Sequence, residues 1–165
     1  MTADRPDASK RRAARLAAVQ ALYQMEQTGE GSDTVTEEFL AYRFGCEPEI
    51  TALGPPDEAF FASILAGVPQ HQAEIDAAIA ESLSEKWRLS RVDSALRAIL
   101  RAGVFELIGR PDVPARAVID EYVDLAHAFA TEEEVGFVNA ALDAIARRKR
   151  APEFDLPVPD GELGF

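Results

Sequence analysis

Apolar residues recur at spacings of three and four along nearly the whole chain, and nowhere do they alternate with polar ones as a half-buried strand requires. That confines the chain to helices packed on helices. Over 10–27, Leu16, Val19 and Tyr23 mark one stripe, with Leu22 and Met25 beside it. Ser9 stands where an N-cap would, and Gly29 and Gly31 punctuate the end. A weaker segment over 33–44 carries Val35, Phe39, Leu40 and Phe44, and 45–57, with three prolines and two glycines, reads as a loop. Over 57–83 the stripe resumes through Phe60, Phe61, Ile64, Leu65 and Val68, then Ile75, Ile79 and Leu83. Gly67 and Pro69 predict a kink or break near Val68. A helix is expected from about Ser90 to Ile108, through Val92, Leu96, Ile99, Gly103 and Leu107. Another starts at Pro114 and runs through Val118, Tyr122, Leu125 and Phe129. A last one follows Thr131, whose partner Glu134 has capping-box spacing, and ends in Arg147, Arg148, Lys149 and Arg150. The expected fold is an all-α compact helical bundle of about six to seven helices. No repeat of solenoid length appears.

The 165 residues carry a net charge of −12, unevenly spread. Residues 1–25 hold five basic against two acidic groups, whereas 26–90 hold three against thirteen. Most of the surface repels phosphate, which excludes a general nucleic-acid glue. A basic arm on an acidic body instead suits local contact with a polyanion, or else is a solvated tail. No apolar run approaches the ~18 residues of a membrane span, and no signal-type block appears. A single cysteine, Cys46, excludes a disulfide framework and a Cys-rich zinc site. The expectation is a cytoplasmic protein with no membrane contact.

Catalytic patterns are missing. His71 and His127 fall on different expected helices without metal-type spacing, and Cys46 has no nearby histidine. Neither phosphate-binding glycine motif occurs. Glu132, Glu133 and Glu134 suit the start of a helix better than a metal, because the helix dipole favours negative charge there. The reading is a binding module rather than an enzyme, with no catalytic residue, cofactor or metal.

Three stretches can carry binding. Arg11 and Arg15 stand four apart on the first helix with Arg12 beside them, a basic edge suited to phosphate and to stacking on bases. Cations at a helix N-terminus oppose its dipole, which weakens a purely stabilising reading. In the last helix Asn139 interrupts good helix formers, which hints at hydrogen bonding either to another helix or to RNA. In 91–101, Asp93 and Arg97 form a favourable i,i+4 pair that looks structural.

Read in order, several motifs resemble the NusB family of bacterial transcription antitermination factors. They are 15–24 (RLAAVQALYQ), Leu65-Ala66-Gly67-Val68, Ile99-Leu100-Arg101 with Glu106-Leu107, Asp112-Val113-Pro114 before Ala117 to Glu121, and Phe137-Val138-Asn139 with Leu142-Asp143. Together they span roughly 10–148.

The resemblance implies two small packed helical subdomains within a domain at 10–150. Outside the resemblance, 1–9 reads as a flexible extension, and 151–165, with three prolines and two glycines, as a disordered acidic tail. The resemblance also implies binding of boxA RNA of ribosomal RNA leader transcripts together with the ribosomal protein NusE, in a complex with other Nus factors and RNA polymerase. The family's RNA surface maps onto Arg11, Arg12, Arg15, Phe137 and Asn139, with Gln20 and Tyr23 on the same first helix. Glu106, Asp120 and Glu121 are the expected acidic contacts to the partner. Gly136 stands where relatives often carry lysine, and Ala140 where they carry glycine. The other reading is a helical protein–protein module, a homodimer, without RNA binding.

Overall fold

The computed structural model describes residues 4–46, 48–83, 92–128 and 130–157, and no strand occurs among them. The chain divides into two compact units, 1–70 and 71–165. The first holds α1 (Asp4–Thr28), α2 (Ser32–Glu38), a π-helical turn (Phe39–Arg43), α3 (Phe44–Cys46), α4 (Pro48–Ala52) and α5 (Glu58–Gln70). The second holds α6 (Gln72–Ser82), α7 (Ser94–Gly109), α8 (Ala115–His127), α9 (Glu132–Lys149) and a 3-10 turn (Ala151–Phe154).

In the first unit, α1 packs on α5. Its buried face is lined by Ala13, Ala14, Ala17, Ala18 and Ala21, all fully buried, with Val19 and Leu22. This rotates the stripe expected from Leu16, Val19 and Tyr23: Leu16 is half-buried and Tyr23 is exposed. Small residues let helix axes approach closely, so alanines seat the helix here and large side chains flank them. The helix also begins at Asp4, so Ser9 is interior rather than a cap and the 1–9 extension is helical from Asp4 on. Ser9 Oγ instead donates to the Leu53 carbonyl at 3.4 Å. Within the expected loop at 45–57, Pro48 opens α4, the position where a missing N–H costs nothing. Ile50 is then fully buried. Phe39, Phe44 and Phe61 join in one ring cluster, Phe39 and Phe61 stacked at 5.6 Å.

The break expected near Val68 falls at His71, with Pro69 tolerated in the last turn of α5. In the second unit, α7 is the central element, buried from Leu96 to Leu107 except at half-exposed Arg97 and Arg101. Asp93 caps it, accepting from the Ala95 N–H at 3.0 Å. Arg97 donates to the Val92 carbonyl and to Ser94 Oγ. The expected helix start at Ser90, and Phe129 on the α8 stripe, lie outside the described residues. Gly103 allows α8 and α9 close access: a Cβ there would stand 3.1 Å from Leu142 Cδ2 and 3.4 Å from Tyr122 Cδ2. Arg101 and Asp76 tie α6 to α7 through paired 3.0 Å hydrogen bonds.

The expected disorder at 151–165 is corrected for its first part. The turn Ala151–Phe154 packs on the unit, with Ala151 and Phe154 buried. Residues 158–165 lie outside the described residues. Arg150, the last of the basic residues that end the helix in sequence, is 8% exposed. Its guanidinium donates to the carbonyls of Glu106, Leu107, Arg110 and Val113 and to Glu153. Those carbonyls lie at and just beyond the end of α7, where intrahelical donors run out, and the Arg110 and Val113 N–H groups also serve Glu106 and Arg110. Glu153 in turn accepts from the Ala115 N–H at 2.8 Å. Burial raises the Glu153 pKa and is the largest single influence. The Ala115 N–H and the Arg150 guanidinium together outweigh it, so the carboxyl lies below its ordinary 4.5.

Candidate nucleic-acid interface

The basic edge of α1 is held by the start of α5. Asp57 caps α5 by accepting from the Phe60 N–H at 3.0 Å, and its own N–H donates to the Lys10 carbonyl at 3.0 Å. That cap brings Phe60 beneath the arginines. The guanidinium carbons of Arg11 and Arg15 stand 4.6 and 5.0 Å from the centroid of its ring. Arg11 Nε also lies 3.8 Å from Asp57 Oδ2. The three expected arginines therefore differ. Arg15 is 4% exposed and anchored on the ring, Arg11 is half-exposed, and Arg12 is exposed. A cation over an aromatic face keeps its charge while losing rotamer freedom, which makes the edge rigid before any ligand arrives.

Arg12, Leu16, Gln20 and Tyr23 follow one another at four, four and three, so they share a face of α1. Gln20 is half-buried, and its Oε1 is a buried acceptor with no donor among the described residues. Tyr23 is 43% exposed. Beyond them Gln24 donates to Glu30 and Glu38 and accepts from Arg43 at 2.8 Å, while Arg43 stacks on Phe39 at 4.5 Å. Nothing in the local spacing of Gln24 and Arg43 signals this network, because it joins two elements across the π-helical turn.

In the second unit the start of α9 is built by a complete capping box. Thr131 Oγ1 accepts from the Glu134 N–H, and the Glu134 carboxylate accepts from the Thr131 N–H at 2.9 Å. From this rigid start Phe137 is half-buried and Asn139 and Ala140 are exposed. Exposure of Asn139 leaves its amide to solvent or ligand, not to a helix–helix contact. A Cβ on Gly136 would meet nothing within 4 Å, so packing does not demand glycine there.

The acidic positions separate. Asp120 is exposed and Glu121 half-buried on α8, but Glu106 is fully buried on α7, where it accepts from the Tyr122 hydroxyl at 2.5 Å. Glu106 is therefore corrected from a surface contact to a core group, because no partner atom can reach it. His71 and His127 are exposed, His71 with its ring parallel to Phe105. No group of three or more potential metal ligands forms among the described residues. No helix among them is long and apolar enough to cross a membrane.

Helix faces carrying guanidinium, amide and phenol groups on capped, buried supports define a helical recognition protein. The NusB family profile matches residues 12–147. The chain belongs to the NusB family, a family of transcription antitermination factors and not of enzymes. The transcription antitermination protein NusB of Nitrobacter hamburgensis is 56% identical over 147 residues, 89% of this chain and 92% of that protein. The structure of T. maritima NusB superposes with a TM-score of 0.71 at 29% identity, covering 88% of this chain and 96% of that one. A crystal structure of the antitermination factors NusB and NusE in complex with dsRNA contains a chain similar at TM-score 0.67 and 27% identity. That match covers 82% of this chain and 95% of that one.

Proposed function

We propose that the chain binds the boxA RNA of ribosomal RNA leader transcripts together with the ribosomal protein NusE. In this reading it acts in the cytoplasm, in a larger complex with other Nus factors and RNA polymerase, and supports transcription of ribosomal RNA operons. The observation that carries the reading is the arginine edge of α1, fixed on Phe60 in a chain whose net charge is −12. Likeness to the NusB chain crystallised with NusE and dsRNA supports the same partners.

Arg11 and Arg12 contact phosphate, Arg15 holds the edge in place, and Gln20, Tyr23, Phe137 and Asn139 meet bases or the backbone. Asp120 and Glu121 face a basic partner, which also offsets the repulsion between RNA and the acidic body. The test is titration of a short boxA RNA, with and without NusE. Tight, salt-sensitive binding strengthened by NusE supports the reading. Self-association without RNA binding would instead favour a helical protein–protein module.

A further inference from the structure

Two guanidiniums approach the ring of Phe154, Arg116 of α8 and Arg147 of α9 each 4.8 Å from its centroid. Arg116 and Arg147 are exposed residues, whereas Phe154 is only 8% exposed. Arg116 is the second residue of α8, where a cation opposes the helix dipole, so its place is poor for helix stability. Two guanidinium faces on one flat ring are the arrangement that holds an unpaired nucleobase, since every base offers the same kind of π-face. The ring is brought there by a short strap near the end of the chain. Besides the Glu153 bonds to Arg150 and Ala115, the strap is held by the Asp155 N–H to Pro152 at 3.2 Å and the Leu156 N–H to Ala151 at 3.0 Å. Asp155 adopts a left-handed conformation (φ 57°), unusual for a residue with a side chain.

We infer that Arg116 and Arg147 form a stacking site for an unpaired base of single-stranded RNA, closed in cis by Phe154. The strap supplies an aromatic ring in the place of a base, so it competes with RNA for the same two guanidiniums. Arg147 is additionally paired with Asp143 at 2.9 Å, which orients its guanidinium along α9. This inference rests on the RNA-binding reading above and adds a second, regulated contact to it.

Titration of the full chain with a boxA oligonucleotide tests it. Phe154→Ala opens the clamp and tightens binding by roughly fivefold or more, the low end of one stacked base. The log–log salt slope steepens by about 0.7 for each guanidinium that gains a phosphate. Adding Arg116→Gln to that variant removes the gain. In the unaltered protein, saturating RNA speeds hydrogen exchange at the Asp155 and Leu156 amides, and this readout decides the matter if Phe154→Ala does not fold. Unchanged or weaker RNA binding by folded Phe154→Ala, or strap amides equally protected with RNA bound, overturns the clamp. Where the unaltered chain binds RNA, such a result leaves the RNA reading intact. Where it binds none, both fall.

Discussion

Arg150 ends the last long helix, yet its guanidinium serves the end of α7, holding four carbonyls and the Glu153 carboxylate. Replacement by Met leaves the Leu107 and Val113 carbonyls without this donor and Glu153 without its cation. The expected cost is about 3 kcal/mol, read as a lower urea midpoint. Arg12 and Arg15 contrast with each other. Arg12→Gln should leave stability unchanged and lower the RNA salt slope by about 0.7, whereas Arg15→Gln should cost about 1 kcal/mol of stability through lost packing on Phe60. Equal effects of the two on stability and slope would contradict the division between anchor and contact. At Gly136 the space is open. Gly136→Lys should therefore stabilise α9 by up to about 1 kcal/mol, because glycine is a poor helix former. It should also tighten RNA binding by adding a cation beside Phe137 and Asn139. Thermal melting and RNA titration check the two halves separately.

At the scale of elements, the 3-10 turn after α9 is held by Glu153, whose folded pKa lies below 4.5 because hydrogen bonds and Arg150 outweigh burial. A depressed carboxyl contributes stability that is fully present above about pH 4.5 and is lost as pH falls through the folded value. The stability gap between the unaltered chain and Glu153→Gln should therefore be widest near neutrality and shrink below that pH in urea titrations. An unchanged gap at acid pH would contradict the arrangement. That turn was hidden in the sequence because prolines and glycines read as disorder, while what orders it is the Arg150 guanidinium and the packing of Phe154 against Arg116 and Arg147. The α8 and α9 stripes were legible because each helix buries large residues on one side, and α7 because large apolar residues fill most of its length. The buried face of α1 was misjudged for the opposite reason. Alanines fill it, and hydrophobic size points to the flanks. Among the candidate site residues, poor helix propensity singled out Asn139 in the sequence, and the fold adds that it is exposed. The burial of Glu106 was not, since only the fold shows that Tyr122 reaches it.

At the scale of the whole molecule, charge frames the problem. On the proposed reading, a chain at −12 meets RNA through a small cationic edge, so its RNA affinity depends strongly on what neutralises the rest. A basic partner seated on the exposed carboxylates makes RNA binding easier, and linkage requires RNA to strengthen that partner's binding by the same factor. The expected coupling is about 1–3 kcal/mol, the usual range for linked sites. Asp120→Asn, at an exposed position outside the core, should reduce NusE affinity and leave RNA binding by the isolated chain unchanged. The most direct measurement is a pair of titrations at one fixed salt concentration, boxA RNA into the chain alone and into the chain saturated with NusE. The account predicts tighter RNA binding in the second titration, with NusE affinity raised equally by RNA. Equal RNA affinity in both titrations, or no binding of NusE at all, would contradict it.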